Sequence, residues 1–430
     1  MSDEIHDEFY HRAEMFGHDA IAVAAGVESI SYFTLPSLAE GRRVFSVATP
    51  EQRRERLKTF FNPVIAIRAR LGQGFHDRGE AFTFADGSLG PKDEVNLNDH
   101  LPLHIKAVSV RKKIVRAGEI WDTSVRGEIW GLGYMEELYN TVNVGELVLE
   151  PGAKVIVRGN VFSLVCQRLV HVGGGRGSVS DYQIGILPTP FSVDLRKGPF
   201  DGNNGSNGAR GEDGSDGRSI EVENSPRGLR LVRPISGEEM TGAPGKNGGH
   251  GGNGGHGRNG GMCKLAEITL RSIVGHLAVL VQAGPGGRGG KGGNGGDGGH
   301  GGHGSDGCKL LSGNLAGGPG GDGGDGGDAG SGGNGGGGGV ASNVYVNVPK
   351  DSVSQITCIS LPSSAGEPGA PGKPGSGGRA GRGGEGPGTV PAARDGRAGQ
   401  PGKPGRAGRS RSAPWIFLNE RVQNPEAGNA

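Results

Sequence analysis

The chain has little of what an ordinary globular protein packs with. Aromatic residues make up 5% of its 430 positions and hydrophobic ones, glycine aside, 33%, against about 40% in a typical domain once its glycine is left out. No run approaches the roughly 18–20 apolar residues that span a bilayer, so no membrane span is expected. The four cysteines, Cys166, Cys263, Cys308 and Cys358, are too sparse for a disulfide framework. None of them forms a CxxC or Cys/His spacing, which excludes a structural zinc site. A formal charge of +1 excludes polyanion binding driven by bulk charge and leaves only local charge blocks. The first residues are acidic, and the first apolar stretch, Ile21 to Val27, is broken by Gly26. No Sec signal peptide is expected; the chain is cytosolic, or reaches a virion or cell surface by a non-Sec route.

What is there in excess is glycine. Of 90 glycines, 15 lie before residue 173 and 68 between 201 and 410, so the two halves obey different rules. Residues 1–140 read as an α+β docking domain. Thr49 as N-cap, Pro50 at N1 and Gln52 at N3 start a helix that runs to about Phe61. Ile65–Arg70, Ala81–Phe84, His104–Val110 and Lys113–Arg116 read as strands. Residues 141–200 carry strands of three to five residues, such as Lys154–Val157 and Phe162–Val165, with turns too short for helices. That spacing suits a parallel β-solenoid or a β-sandwich, and the recurrence of strands further on favours the solenoid. Strand-like pieces reappear among the glycine tracts at Ser219–Val222, Leu229–Val232, Ala266–Leu270, Leu277–Val281, Asn343–Val348 and Gln355–Ser360. Residues 411–430 hold a last strand, Trp415–Leu418, and a tail. The expected fold class is mainly β and irregular.

Six tracts within 201–410 repeat with a period of three. Glycine recurs from Gly202 to Gly217, Gly242 to Gly260, Gly366 to Gly384 and Gly396 to Gly408, and the tracts at 285–307 and 317–339 are GGX. Three residues per turn is the polyproline II helix, which makes no internal hydrogen bonds and must find lateral partners. A glycine at every third position leaves a bare stripe along which another backbone can approach. A polyglycine-II bundle therefore requires Gly248, Gly251, Gly254, Gly286, Gly289, Gly292, Gly320, Gly323 and Gly326 as structural contacts. A collagen-like trimer needs one glycine in three and gains from proline. The two GGX tracts fit the bundle; GEPGAPGKP and GQPGKPGRA in the last two leave both open. A flexible Gly-rich linker has no need of so regular a period.

GGRGGKGGNGGDGGHGGHG (286–304) and GGPGGDGGDGGDAG (317–330) resemble the polyglycine-II tracts of tail-fibre tip adhesins from T4-like bacteriophages. They are similar also to the glycine-rich domain of Obg-type GTPases. The resemblance covers about 200–410 and is compositional. The first implies a receptor-binding fibre tip; the second fails, because no GxxxxGK[ST] phosphate loop is present.

Other chemistry is excluded residue by residue. His300 and His303 stand about 9 Å apart along a polyproline II axis, and His250 and His256 about 19 Å, so one tract cannot chelate a metal. GGDGGDGGDAG lacks the nine-residue period of a calcium β-roll. Residues 366–411 carry arginines but no aromatic residue, against single-stranded nucleic acid. His104, Glu128 and Asp181 form no triad spacing, and no GxSxG elbow exists. Ice binding is opposed by charged residues at X. No catalytic residue, metal or cofactor is therefore assigned. Cys263 and Cys308, each followed by Lys-Leu after a glycine tract, are candidates for equivalent points of stacked repeats and for a disulfide.

The charges are sorted: −3 over 201–217, −3 over 317–339 and +7 over 372–411. Like charges repel, so the basic tracts are expected to border an acidic one. The expected function is a non-enzymatic structural or adhesive protein, a stiff bundle that self-associates or docks to a larger assembly and meets a surface glycan or protein receptor. A carbohydrate-active parallel β-helix enzyme and a collagen-like trimeric fibre are the alternatives.

Overall fold

The computed structural model describes residues 2–60, 76–88, 101–132, 137–173, 178–189 and 201–423. The expected strand at Ile65–Arg70 lies outside them. The fold is mainly β. After β1 (Ser29–Leu35), the chain alternates between two parallel sheets. β2 (Leu103–Val115) enters the first sheet and β3 (Ile120–Asp122) the second. β4 (Leu138–Leu149) returns to the first, β5 (Lys154–Arg158) to the second, β6 (Val161–His171) to the first and β7 (Ile184–Leu187) to the second. The expected boundary at 140 thus falls inside a sheet, since β2 and β4 pair in parallel from His104–Leu138 to Val115–Leu149.

The glycine tracts are excursions from this alternation. After the first comes a hairpin of β8 (Val222–Ser225) and β9 (Gly228–Leu231), then the second tract and β10 (Ala266–Leu270) in the first sheet. β11 (Ile273–Val274) pairs beside β6, and β12 (Leu277–Gln282) joins the second sheet. The third tract leads to a hairpin of β13 (Cys308–Leu310) and β14 (Gly313–Leu315), and the fourth returns to β15 (Val344–Asn347). β16 (Ile356–Leu361) takes the second sheet, and the last two tracts lead to β17 (Ile416–Leu418) with β18 (Arg421–Val422) folded back on it.

Parallel strands buried on both faces read as near-continuous apolar runs. Val142, Val144 and Leu164 of the first sheet meet Val155, Ile184 and Val279 of the second in one core. The outer face of the first sheet is covered by helices: α1 (Ser2–Met15), α2 (Ala20–Ala24), α3 (Leu38–Phe45), α4 (Pro50–Phe60) and α5 (His76–Phe84). Phe45, Phe60 and Phe84 from this layer pack with Tyr139, Tyr345 and Phe417 from the sheet. Polar residues on the same face anchor it. Asn143 Nδ2 donates to Phe9 O at 2.8 Å and Ser163 Oγ to Phe45 O at 2.9 Å.

The helix at Pro50 has its capping box: Gln52 N–H donates to Thr49 Oγ1, and Thr49 N–H to Gln52 Oε1 at 2.8 Å. Ala81–Phe84 is not a strand but the end of α5. Its alternation of small and aromatic residues mimicked a strand, while Ala81 and Phe84, three apart, share one buried helix face. Arg42 holds it by donating to Phe82 O and Ala85 O at 2.6 and 2.7 Å.

Arg56, wholly buried, joins three parts of the chain. It pairs with Glu267 of β10 and with Glu420 of the β17–β18 turn, each at 2.9 Å, and its guanidinium lies 4.3 Å from the centre of the Tyr345 ring. Burial alone would lower its pKa, but the two carboxylates outweigh burial and raise it, so Arg56 stays charged. Glu420 and Asn419 both sit at positive φ to make the turn.

Candidate functional site

The chemistry-bearing surface of this chain is the contact between its glycine tracts. Consecutive tracts run antiparallel: Gly287, Gly290 and Gly293 of the third donate to Arg258, Gly255 and Gly252 of the second. Alternate tracts run parallel: Gly286, Gly289 and Gly292 of the third donate to Ser364, Glu367 and Ala370 at the fifth. The same two relations hold throughout, so odd tracts form one row and even tracts another. The odd row follows β7, β12 and β16 of the second sheet, and the even row precedes β10, β15 and β17 of the first.

Inside the rows all three N–H groups of a unit can be used, as Gly289, Gly290 and Lys291 show. Gly289 donates to Glu367 O of the fifth tract at 2.8 Å and Gly290 to Gly255 O of the second at 2.8 Å. Lys291 donates to the side chain of Asn204 in the first tract at 2.9 Å. Both glycines are sterically required. A Cβ at Gly292 would overlap the carbonyl of Gly330, and one at Gly293 the carbonyl of Ser206. The other expected contact glycines behave alike: Gly248, Gly251 and Gly254 face carbonyls of the third tract, Gly286 and Gly289 of the fourth, and Gly320, Gly323 and Gly326 of the fifth.

The X residues have a role that sequence reasoning missed. Their side chains accept the X-position N–H of the next tract in the same row. Asp213 and Asp216 accept from His300 and His303, and Asn247 and Asn253 accept from Asp325 and Ser331. Asn294 and Asp297 accept from Lys373 and Ser376, and Asp322, Asp325 and Asp328 accept from Arg394, Arg397 and Gln400. The four histidines do the same through Nδ1: His250 and His256 toward Asp328 and Asn334, His300 and His303 toward Arg379 and Arg382. A backbone N–H can only donate, so in these bonds Nδ1 is unprotonated. A run of Asn, Asp, His or Ser at every third residue is the sequence signal of this clamp.

The last two tracts break the pattern because nothing follows them in their rows. Gly372 donates to Gly330 O and Lys373 to Asn294, but the position that would donate onward is Pro374. In the sixth tract Gly399 donates to Gly375 O, Gln400 to Asp328, and the onward position is Pro401. Proline removes an N–H that has no acceptor and presets the extended backbone. At X, the clamps give way to Lys and Arg.

Basic tracts do border an acidic one, the sixth against the fourth, but the contact is carboxylate to backbone N–H. The cysteines are free thiols. Cys263 follows the end of the second tract at Gly260, which lies beside Gly284, whereas Cys308 follows the third tract's other end, beside the hairpins. The antiparallel run separates them by most of a tract length, so the expected disulfide and equivalence are overturned. Burial also pushes the Cys263 thiol up to about 12. Of the connectors between tracts, Lys309–Ala316 and Val390–Arg394 lie at the hairpin end. Pro362–Ala365 lies at the sheet end, where Ser363 bridges Arg411. His104 packs on Trp130 at 5.4 Å, Glu128 sits in the short 3-10 helix Gly127–Trp130, and Asp181 closes a turn with Ser178. Among the described residues no group of three His, Cys, Asp or Glu could hold a metal ion, and no helix is long and apolar enough to cross a membrane. The chain matches no family model, no curated protein and no solved structure.

Proposed function

We propose that the six tracts are a bundle of polyglycine-II helices that extends a parallel β-solenoid, and that the protein is a non-enzymatic structural or adhesive element. One observation carries this reading: the lateral N–H to carbonyl ladder repeats at every third residue across all six tracts. Polyproline II rises about 3.1 Å per residue, so tracts of this length hold their far ends about 60 Å from the sheets. Those ends carry the two hairpins and the loop at 385–395. Val222, Val232 and Leu311 stand exposed there, and Leu311 N–H donates to Leu229 O, tying one hairpin to the other. Such a tip suits contact with a receptor. The Gly-X-Pro character of the last two tracts follows from their edge position, which favours a single-chain bundle over a trimer.

Solution scattering of the purified chain tests the architecture: a monomeric rod-like extension is expected, and a trimer or a compact particle would overturn it. For the function, labelled protein should bind a target surface through the hairpin end. Replacing Val222, Val232 and Leu311 by Ser should abolish adhesion at unchanged melting temperature; undiminished adhesion would reject the tip as the contact.

A further inference from the structure

We propose that the outer edge formed by the fifth and sixth tracts is a binding surface for a linear acidic polysaccharide bearing carboxylate or sulfate groups at regular intervals. The inference rests on the bundle reading and adds a ligand class to it. In the first four tracts, X side chains are mostly Asn, Asp, His and Ser, because each must accept an N–H from the next tract in its row. The fifth and sixth tracts have no next tract, so their X positions are free of that duty. Most of them carry cations: Lys373, Arg379 and Arg382 in the fifth, and Arg394, Arg397, Lys403, Arg406 and Arg409 in the sixth. All eight are exposed. Among the described residues no side-chain hydrogen bond or ion pair engages any of them, although their backbone N–H groups are mostly clamped. The acidic neighbours that would neutralise them, Asp322 and Asp325, instead hold backbone N–H groups. Of the acids on the edge, Glu367 is taken by Arg288 at 3.5 Å.

The result is two rows of cations with a repeat of about 9 Å, three residues of polyproline II, on a rigid backbone. Arginine's planar fork suits carboxylate and sulfate, and a fixed spacing suits a partner whose charges also repeat. Pro368, Pro371, Pro374, Pro401 and Pro404 at the other free position remove backbone donors from much of the edge, so it offers mainly side-chain charge. Nucleic acid is disfavoured by the absence of any aromatic residue over 366–411 on which a base could stack.

The test uses the full chain and three immobilised probes: alginate, a linear uronate polymer; dextran, which is neutral; and a single-stranded oligothymidylate. Alginate is expected to retain the protein at low salt and release it as salt screens the contact, while dextran does not. A variant with Arg394→Gln, Arg397→Gln, Lys403→Gln and Arg406→Gln should bind alginate at least about tenfold more weakly, about 1.4 kcal/mol, with an unchanged melting temperature. Gln400 already occupies X in that tract, so glutamine fits there. A control with Arg43, Arg54, Lys58 and Arg126 changed to Gln removes the same charge elsewhere and should bind like the parent. Equal loss in both variants, undiminished binding in the edge variant, no retention on alginate, or tighter retention on the oligonucleotide would each overturn the proposal. If Gly292→Val still destabilises the chain in that event, the bundle reading stands and only the ligand falls.

Discussion

The carboxylate of Asp325 accepts the backbone N–H of Arg397 at 2.7 Å, and the guanidinium of Arg397 makes no ion pair with it. An acidic and a basic tract are neighbours, then, for a reason other than charge attraction between side chains. Asp325 itself donates its N–H to Asn247 at 2.8 Å, so a single X residue clamps tracts on both sides.

Removing that clamp should cost stability in a residue-specific way. Asp325→Ala leaves the N–H of Arg397 without its partner and should cost about 1 kcal/mol. Asp325→Asn keeps the acceptor, as Asn334 does toward Arg406 at 2.9 Å, and should cost under about half of that. Arg397→Ala removes only an unengaged side chain and should be neutral. Chemical denaturation midpoints of the three variants check the order; a loss for Arg397→Ala equal to that for Asp325→Ala would show that charge pairing matters after all.

How much of this was legible depends on how far each determinant reaches along the chain. The period of three, the contact glycines Gly292 and Gly323, and strands such as Ala266–Leu270 depend on local pattern and could be read directly. The role of His300 could not, because its partner Arg379 lies 79 residues away and only the row order brings them together. The direction of each tract was likewise hidden, which is why Cys263 and Cys308 looked equivalent. Ala81–Phe84 misled because a nine-residue helix was held by Arg42 from another element.

The buried ion cluster should respond sharply to truncation. Arg56→Met leaves Glu267 buried without its cation and frees the Glu420 turn, an uncompensated charge worth about 3–5 kcal/mol. The change should lower the melting temperature far more than Arg53→Met, whose pair with Asp86 at 3.0 Å is partly exposed. Combining Arg56→Met with Glu267→Gln should recover part of the loss, because the second change removes the stranded charge. A double variant no more stable than Arg56→Met alone would count against this account.

Acid should loosen α1. Burial raises the pKa of Glu8, but the bidentate bond from Arg271, at 2.6 and 2.9 Å, with that residue's charge and the help of Gln167 and Arg12, outweighs burial and lowers it overall. A carboxylate with a depressed folded-state value adds stability above its unfolded value, about 4.3, and loses it as pH falls through the folded value. The melting temperature of Glu8→Gln should therefore lie below that of the parent near pH 6 and converge with it in acid. A gap that stays constant from about pH 6 to about pH 2 would reject the linkage.

The sharpest comparison uses two adjacent glycines. Gly248 and Gly249 are neighbours in a tract where the first faces another backbone far more closely than the second. A Cβ at Gly248 would overlap the carbonyl of Gly296, whereas one at Gly249 would sit 2.9 Å from the N of Ala209 with no second tract beyond it. Ala243 and Lys246 already occupy the position equivalent to Gly249, donating their N–H groups to Ser215 and Glu212 at 2.8 Å, so that face tolerates side chains. Gly249→Ala should be within about 1 kcal/mol of the parent, the small clash offset by lower unfolded-state entropy. Gly248→Ala must push two tracts apart along their length and should cost more than about 3 kcal/mol or prevent folding. A disordered linker would make both changes silent, and a collagen-like repeat, in which only every third glycine is obligatory, would not explain why Gly293 of the third tract is as intolerant as Gly292. Thermal melts of Gly248→Ala, Gly249→Ala, Gly292→Ala and Gly293→Ala should therefore sort into one tolerated variant and three damaging ones; tolerance at Gly293 would exclude the two-row packing.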